Sequence, residues 1–322
     1  MHNSIGLKRS VLILAAGVFF SSNLSAYNPA IHRELATFAM VKVLKLSSFP
    51  EPHAELAEIA ASEDAGEDTS VRACVQRITN WHFYNPHKEN RQRCSWLGLT
   101  IDRSMTSLVL QRQQDLLQAL QKPDLLFRDF ALVYGRCMHF IEDVTVPAHV
   151  TPVFHGPALP GRASGYTWPA IIRDPFDGYP VNMAELERQW QELQDDSALL
   201  EHIWNIHELP GLIQGLSMMP AGHTLNTDID INQSPVLYCV DLVARLTLAR
   251  LPPPRDASRT YWNEDIGHEY FQGYGASFDD SAQGRQFVNQ QHFLATVVVV
   301  VLGLHLWKMR ENHASSGADV RM

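Results

Sequence analysis

The chain has 322 residues, of which 45% are hydrophobic and 19% charged, so it carries enough apolar material for a folded core and is neither disordered nor fibrous. Acidic residues outnumber basic ones by 35 to 26, and a formal net charge of −9 disfavours binding to a phosphate backbone. The 15 histidines direct attention to metal-ligand spacing.

Residues 1–26 have the three-part pattern of a secretory signal peptide. Lys8 and Arg9 form a positive start, the run from Val11 to Phe20 is apolar, and small polar residues lead to Ala26. The apolar run is short for a bilayer span, which favours cleavage after Ala26 over an uncleaved membrane anchor. The mature protein, residues 27–322, is therefore expected to be secreted, either to the periplasm or to the extracellular space, and to form one domain.

Apolar residues recur at helical spacing along the mature chain, with almost no strand pattern, so an all-α fold is predicted. The six predicted helices span Ile31 to Leu46, Ser104 to Gln121, Leu125 to Val146, Met183 to Ile206, Pro235 to Leu251 and Arg285 to Glu311. Within the last of them, the β-branched run from Leu294 to Leu302 also fits a strand, but its helical flanks favour a buried helix.

The segment from Thr151 to Pro180 is predicted to be a long functional loop, because it holds six prolines and four glycines among several aromatic residues. The four cysteines suit an oxidising compartment. A Cys74–Cys94 bridge is one pairing, and Cys137 lies in an apolar run typical of a buried thiol; the pairing stays open.

The strongest local pattern is HFIEDVTVPAH, which contains His139, Asp143 and His149. His139 and Asp143 are four residues apart and share a helical face, and Pro147 breaks the helix so that His149 can fold back toward them. An ion pair is the simpler interpretation of such spacing. Because the surrounding helix is apolar, we expect a metal site, for which imidazole and carboxylate are the natural zinc ligands.

Two further motifs contain residue types that bind metals. His82 lies in the sequence WHFYNP, and Asp68 stands 14 residues before it. Tyr27 is the first residue after the predicted cleavage point, and His32 follows five residues later. Cleavage would expose the Tyr27 α-amine, which together with its carbonyl could bind metal once deprotonated.

Together, the aromatic N-terminus, the early helical His, the Asp–His pair and the HxxxDxxxxxH motif resemble the zinc-dependent phospholipase C and S1-P1 nuclease superfamily. The resemblance covers most of the mature chain and implies a compact multi-helix domain with long active-site loops and two to three zinc ions. It implies that Asp68, His82, His139 and Asp143 hold one zinc. The second zinc would be held by Tyr27, His32 and Asp143, and His149 would begin the third site.

The third site departs from the family pattern. Asp177 fits the family's acidic ligand, but Arg173 occupies the position of the expected His and cannot bind metal, because its guanidinium stays protonated. Asp174 and His155 are the candidate substitutes. The N-terminal Tyr27 also replaces the family's Trp, a mild change because the ligands there are backbone atoms.

The segment HFYNP, from His82 to Pro86, looks like the phospholipase form of this family and favours the compact bacterial phospholipase C branch. The resemblance implies hydrolysis of the glycerol-side phosphodiester of a phosphatidylcholine-like lipid by a zinc-activated water, with Asp68 also acting as a catalytic residue. The partner would be a phospholipid at a membrane surface, and no protein partner is implied. The aromatic residues of the long loop (Phe154, Tyr166, Trp168 and Phe176) would touch the membrane or pack inward.

Two other functions are compatible with the sequence. One is a single-strand nuclease of the S1-P1 type, favoured by the five-residue spacing from Tyr27 to His32 but disfavoured by the net negative charge. The other is a catalytically degenerate homologue with an interaction role, which Arg173 keeps open.

Overall fold

The computed structural model describes residues 29–49, 52–70, 83–84, 86, 93–96, 99–102, 104–150, 176, 179–251 and 282–318. These residues are mostly helical, and the predicted all-α class is confirmed at that level. The helices are α1 (Pro29–Leu46), α2 (His53–Thr69), α3 (Thr106–Leu120), α4 (Phe127–Asp143), α5 (Pro147–Val150), α6 (Met183–Asp195), α7 (Ser197–His202), α8 (Leu209–Gly215), α9 (Pro235–Arg250) and α10 (Ala282–Ala318), with a 3₁₀ turn at Ile206–Glu208. One short antiparallel hairpin pairs β1 (Arg93–Trp96) with β2 (Leu99–Asp102) in a register that sets Arg93 opposite Asp102.

Helix α4 lies at the centre of the helical assembly and contacts α1, α2, α3, α9 and α10. Its apolar residues repeat at helical spacing, so one face packs against α10 through Phe130 and Tyr134. Phe127 and Phe130 of α4 contact Trp307 of α10, and the Tyr134 hydroxyl donates to the Val299 carbonyl of α10. The buried apolar residues form one continuous cluster.

Helices α2 and α4 approach very closely where Gly135 faces Ala60. A Cβ placed on Gly135 would lie 2.3 Å from the Ala60 carbonyl oxygen. One turn further along both helices, Asp64 meets His139, so the two helices run parallel through this contact. The glycine thereby sets the distance between two helices that carry predicted metal ligands.

Helix α9 begins with a hydrogen-bonding partner from another helix. Its N-cap residue, Ser234, makes no side-chain cap bond. Instead, the Gln113 carboxamide oxygen of α3 accepts from the backbone N–H of Val236 at 3.0 Å and of Leu237 at 3.3 Å. Gln113 therefore supplies the cap that the local sequence lacks.

One predicted helix is wrong in extent. The stretch predicted as a single helix from Met183 to Ile206 divides at Asp196, which adopts an extended conformation and ends α6. The Asp196 carboxylate accepts from the backbone N–H groups of Ala198 and Leu199 and so starts α7. An aspartate that caps the following turn competes with continuation of the preceding helix.

Helix α2 and the hairpin were not predicted. The buried side of α2 is made chiefly of small residues such as Ala57, Ala60 and Ala61, so the helix lacks the large apolar residues that mark a core-facing stripe. At the other end of the chain, the run from Leu294 to Leu302 is helical, and the strand alternative is wrong.

One helix of the described part of the chain is long and apolar enough to cross a membrane by length and composition, at Gly284–Asn312. Of its most apolar window, 83% is buried inside the protein, as in a core helix. Cys137 and Cys239 are buried free thiols, which confirms the prediction for Cys137. Cys74, the signal segment and most of the loop from Thr151 to Pro180 lie outside the described residues.

Candidate metal centre

Three helices bring six ionisable side chains to one buried point. Residues four apart in a helix share a face, so Asp64 and Asp68 of α2 point the same way, as do His139 and Asp143 of α4. Helix α1 adds a histidine, and α4 adds a glutamate next to its aspartate. The six are His32, Asp64, Asp68, His139, Glu142 and Asp143, and each is at most 5% exposed.

The Nε2 atoms of the two histidines face the carboxylates of Asp68 and Asp143. His32 Nε2 lies 3.7 Å from Asp68 and 3.5 Å from Asp143. His139 Nε2 lies 3.5 Å from Asp68 and 3.4 Å from Asp143. These separations are longer than a typical N–H···O hydrogen bond and of the size found between ligands of one metal ion. The two imidazoles and two carboxylates are therefore close enough to hold a cation, and His32, Asp68 and His139 form a candidate metal group.

The Nδ1 atoms of the same histidines face different carboxylates at shorter distances. His32 Nδ1 lies 2.7 Å from Glu142 Oε2 and 3.1 Å from Asp64 Oδ1, and His139 Nδ1 lies 3.1 Å from that same Asp64 oxygen. His32, Asp64 and Glu142 are close enough together to form a second candidate metal group. The 2.7 Å between His32 Nδ1 and Glu142 Oε2 is a hydrogen-bond length and short for two ligands of one ion. The group around the two Nε2 atoms therefore fits a metal better.

The centre holds more acidic than basic groups. Burial alone lowers the pKa of His32, but the Asp64 carboxylate and the other carboxylates around the ring outweigh it and raise that pKa well above its usual value. Burial, followed by the Asp64 charge, raises the pKa of Glu142 well above its usual value, and His32 opposes that shift. Asp64 Oδ2 is also buried and accepts no hydrogen bond from any described residue. A bound cation would relieve this crowding of buried acidic groups.

Four of the eight predicted ligands thus converge, namely His32, Asp68, His139 and Asp143. The resemblance divides them between two zinc ions that share Asp143, and the structure brings all four to one buried point. His149 is buried on α5. Tyr27, His82 and Asp177 lie outside the described residues.

Tyr84, two residues after the predicted ligand His82, makes two hydrogen bonds to distant parts of the chain. The backbone N–H of Tyr84 donates to the His149 carbonyl at 2.8 Å, and the Tyr84 hydroxyl donates to Asp241 at 2.6 Å. Burial, reinforced by Asp241, raises the pKa of Tyr84 well above its usual value, which keeps the phenol protonated. The segment that follows position 82 is thereby joined to α5 beside a predicted ligand.

Phe176 precedes Asp177 and is fully buried against Phe287 and His292 of α10. Phe176 therefore packs inward, and the suggestion that it contacts a membrane is wrong. An aromatic ring flanked by other apolar rings gains more from burial in the core than from an interface.

Two residues of the centre were missed at the level of sequence, Asp64 and Glu142. Both have a local signal: Asp64 precedes Asp68 by one helical turn, and Glu142 stands directly before Asp143 in HFIEDVTVPAH. Asp64 could not be assigned without α2, and Glu142 depends on the packing of α1 against α4, which brings His32 beside it.

Comparisons with protein families, with curated proteins and with solved structures find no match to this chain. The buried His, Asp and Glu groups nevertheless could bind a metal ion on their geometry alone.

Proposed function

We propose that this chain is a secreted zinc-dependent phospholipase C, which hydrolyses the glycerol-side phosphodiester of a phospholipid to diacylglycerol and a phosphorylated head group. The observation that carries the proposal is the convergence of His32, Asp68, His139 and Asp143 from three helices onto one buried point. Its donors are imidazole nitrogens and carboxylate oxygens, both of which are natural ligands of zinc.

The residues would divide the work as follows. His32, His139, Asp68 and Asp143 would hold zinc, which when bound supplies a Lewis acid for the phosphate oxygens and lowers the pKa of a coordinated water. The Asp68 carboxylate faces the Nε2 atoms of both histidines. From there its carboxylate would orient the attacking water and accept its proton.

The lipid substrate class is supported by two features of the chain. The segment HFYNP resembles the phospholipase form of the superfamily, and the net charge of −9 would repel a polyanionic nucleic acid. The aromatic residues left to touch a membrane surface are Phe154, Tyr166 and Trp168, since Phe176 belongs to the core. Tyrosine and tryptophan suit an interface because each has an apolar body and a polar end.

The test combines metal analysis with two substrates on one sample of mature protein. Two to three zinc ions per chain, with hydrolysis of phosphatidylcholine and without hydrolysis of single-stranded DNA, is the expected result. DNA hydrolysis alone would move the chain to the nuclease branch. Bound zinc without either activity would point to a degenerate homologue.

Replacing His139 with Ala should reduce lipid hydrolysis to background and remove zinc from the site, because one of two buried imidazole ligands is lost. His223→Ala is the matched control, since His223 is exposed on a turn away from the centre. Both variants are compared for zinc content and initial rate. An unchanged rate in the His139→Ala variant would rule out this metal centre as the catalytic site.

A further inference from the structure

The two carboxylates that face the Nδ1 atoms have no part in the proposed ligand set, yet they are buried as deeply as the ligands. Asp64 is 0% exposed and Glu142 is 1% exposed. Burying a carboxylate costs several kcal/mol unless it is paired, so a role for these two groups is expected.

We propose that Asp64 and Glu142 are positioning residues, which hold His32 and His139 with the proton on Nδ1 and so leave both Nε2 atoms available to zinc. This inference rests on the metal centre of the proposed function. It assigns two further residues to that centre, neither of them a ligand.

The geometry of the hydrogen bonds carries the assignment. A neutral imidazole has one N–H group, and an ionised carboxylate only accepts hydrogen bonds. Glu142 Oε2 lies 2.7 Å from His32 Nδ1, and Asp64 Oδ1 lies 3.1 Å from His139 Nδ1. Each contact therefore favours the tautomer in which Nδ1 carries the proton and Nε2 has a free electron pair for a metal.

The arrangement of the two rings shows why one aspartate serves both. The ring centroids of His32 and His139 are 4.3 Å apart and the ring planes are tilted by 32°. The same Asp64 oxygen lies 3.1 Å from both Nδ1 atoms, and both Nε2 atoms face Asp68 and Asp143. Asp64 therefore aligns the two rings as a pair, whereas Glu142 acts on His32 alone.

Carboxylates in this position also make an imidazole a better ligand, because they stabilise the positive charge that the ring gains on binding a metal. Removing the charge while keeping the shape should weaken zinc binding without removing any ligand. Asp64→Asn and Glu142→Gln make that change, and the amide oxygen still fits the space.

The experiment measures the zinc dissociation constant of each folded variant by competition with a chelator, together with the visible spectrum of the cobalt-substituted protein. Each variant should bind zinc roughly 10–100-fold more weakly than the wild type. The Asp64→Asn variant should lose more zinc affinity than Glu142→Gln, because Asp64 contacts both imidazole rings. The cobalt bands should also change, since ring orientation alters the ligand field.

Two controls separate positioning from a general loss of structure. Glu63→Gln removes a neighbouring carboxylate of α2 that pairs with Arg136 of α4 at 2.7 Å, away from the histidines. Val298→Ala destabilises the core on α10 without touching the centre. Both should keep the wild-type zinc affinity and cobalt spectrum. If Asp64→Asn fails to fold, Glu142→Gln still tests the inference on His32.

Zinc affinities of both variants within twofold of the wild type would overturn the inference, as would an equal loss of affinity in Val298→Ala. The proposed function fails differently: the wild type would bind zinc without cleaving phosphatidylcholine, while the variants still bound zinc more weakly.

Discussion

One side of helix α4 buries apolar residues, and the other buries ionisable residues. Toward α10 it packs Phe127 and Phe130 against Trp307, in a region where Val297 to Val301 are all fully buried. Toward α1 and α2 it buries His139, Glu142 and Asp143 among further ionisable groups. Burial of each valine stabilises the fold by about 1.5–3 kcal/mol, whereas each buried charge costs several kcal/mol before it is paired. The apolar side can therefore hold the charged side in place before any metal binds.

Removing zinc should give the largest effect on stability and should act on the charged side alone. A ligand present at about 1,000 times its dissociation constant stabilises a protein by about 4 kcal/mol, which corresponds to roughly 8 °C in a chain of this size. Chelation should lower the melting temperature by that amount, and added zinc should restore it. Differential scanning calorimetry measures both.

Val298→Ala sharpens this result, because it removes apolar contacts on the other side of α4. Its melting temperature should fall equally with and without zinc. A chelator that leaves the wild-type melting temperature unchanged would show that the charged side needs no metal for its stability.

The next largest effect is expected from Gly135→Ala, which changes the close contact between α2 and α4 on the charged side. The added methyl would lie 2.3 Å from the Ala60 carbonyl oxygen and force α2 away from α4. We expect a loss of about 1–3 kcal/mol in the free energy of unfolding. Zinc should also bind more weakly, because Asp64 and His139 follow one turn later.

Gly66→Ala is the matched control for this prediction. Gly66 lies on α2 as well, and nothing would lie within 4 Å of its added methyl. Alanine is the better helix former, so this variant should gain up to about 1 kcal/mol and keep its zinc affinity. Denaturant unfolding and zinc competition are measured on both. Equal effects in the two variants would contradict the close-approach explanation.

The prediction with no effect at neutral pH concerns His292, which is buried on the apolar side near Phe176. Burial lowers the pKa of His292 to about 3, so the folded protein keeps it neutral while the unfolded chain binds a proton below about pH 6.5. Stability from this residue is therefore complete above pH 6.5 and is lost as the pH falls from there toward 3. The slope is about 1.4 kcal/mol per pH unit.

A His292→Asn variant should lack this part of the pH dependence, and His223→Asn, at an exposed position, should retain it. The measurement is the free energy of unfolding at several values between pH 6.5 and 4.5. Parallel pH profiles for wild type and His292→Asn would show that His292 does not titrate in the unfolding transition.

The apolar side could be predicted from sequence because its signal is local. The repeats in α1, α4 and α10 follow from large apolar residues at helical spacing, and the structure places these helices close to the predicted bounds. The break at Asp196 could not be predicted in this way, because a continuous amphipathic pattern conceals a capping residue that favours a new start.

The charged side could be predicted only in part. The spacing of four predicts His139 and Asp143, and two further motifs that the family resemblance joins to them contain His32 and Asp68. Glu142 depends on the packing of α1 against α4, and Asp64 on the packing of α2 against α4, which in turn depends on Gly135 and on the small alanines of α2. A pattern of small residues carries little hydrophobic signal, so the helix that holds two carboxylates of the centre was the one missed.

The cap that Gln113 gives to α9 has a consequence for the order of folding. The first turn of α9 gains its hydrogen-bond partner only from α3, which is more than 100 residues earlier in the chain. Starting a helix is its least favourable step, so α9 is completed when the two helices dock and not before. The start of this helix and the closure of a long chain loop are thus a single cooperative event, because both require the Gln113 side chain to reach the first turn of α9.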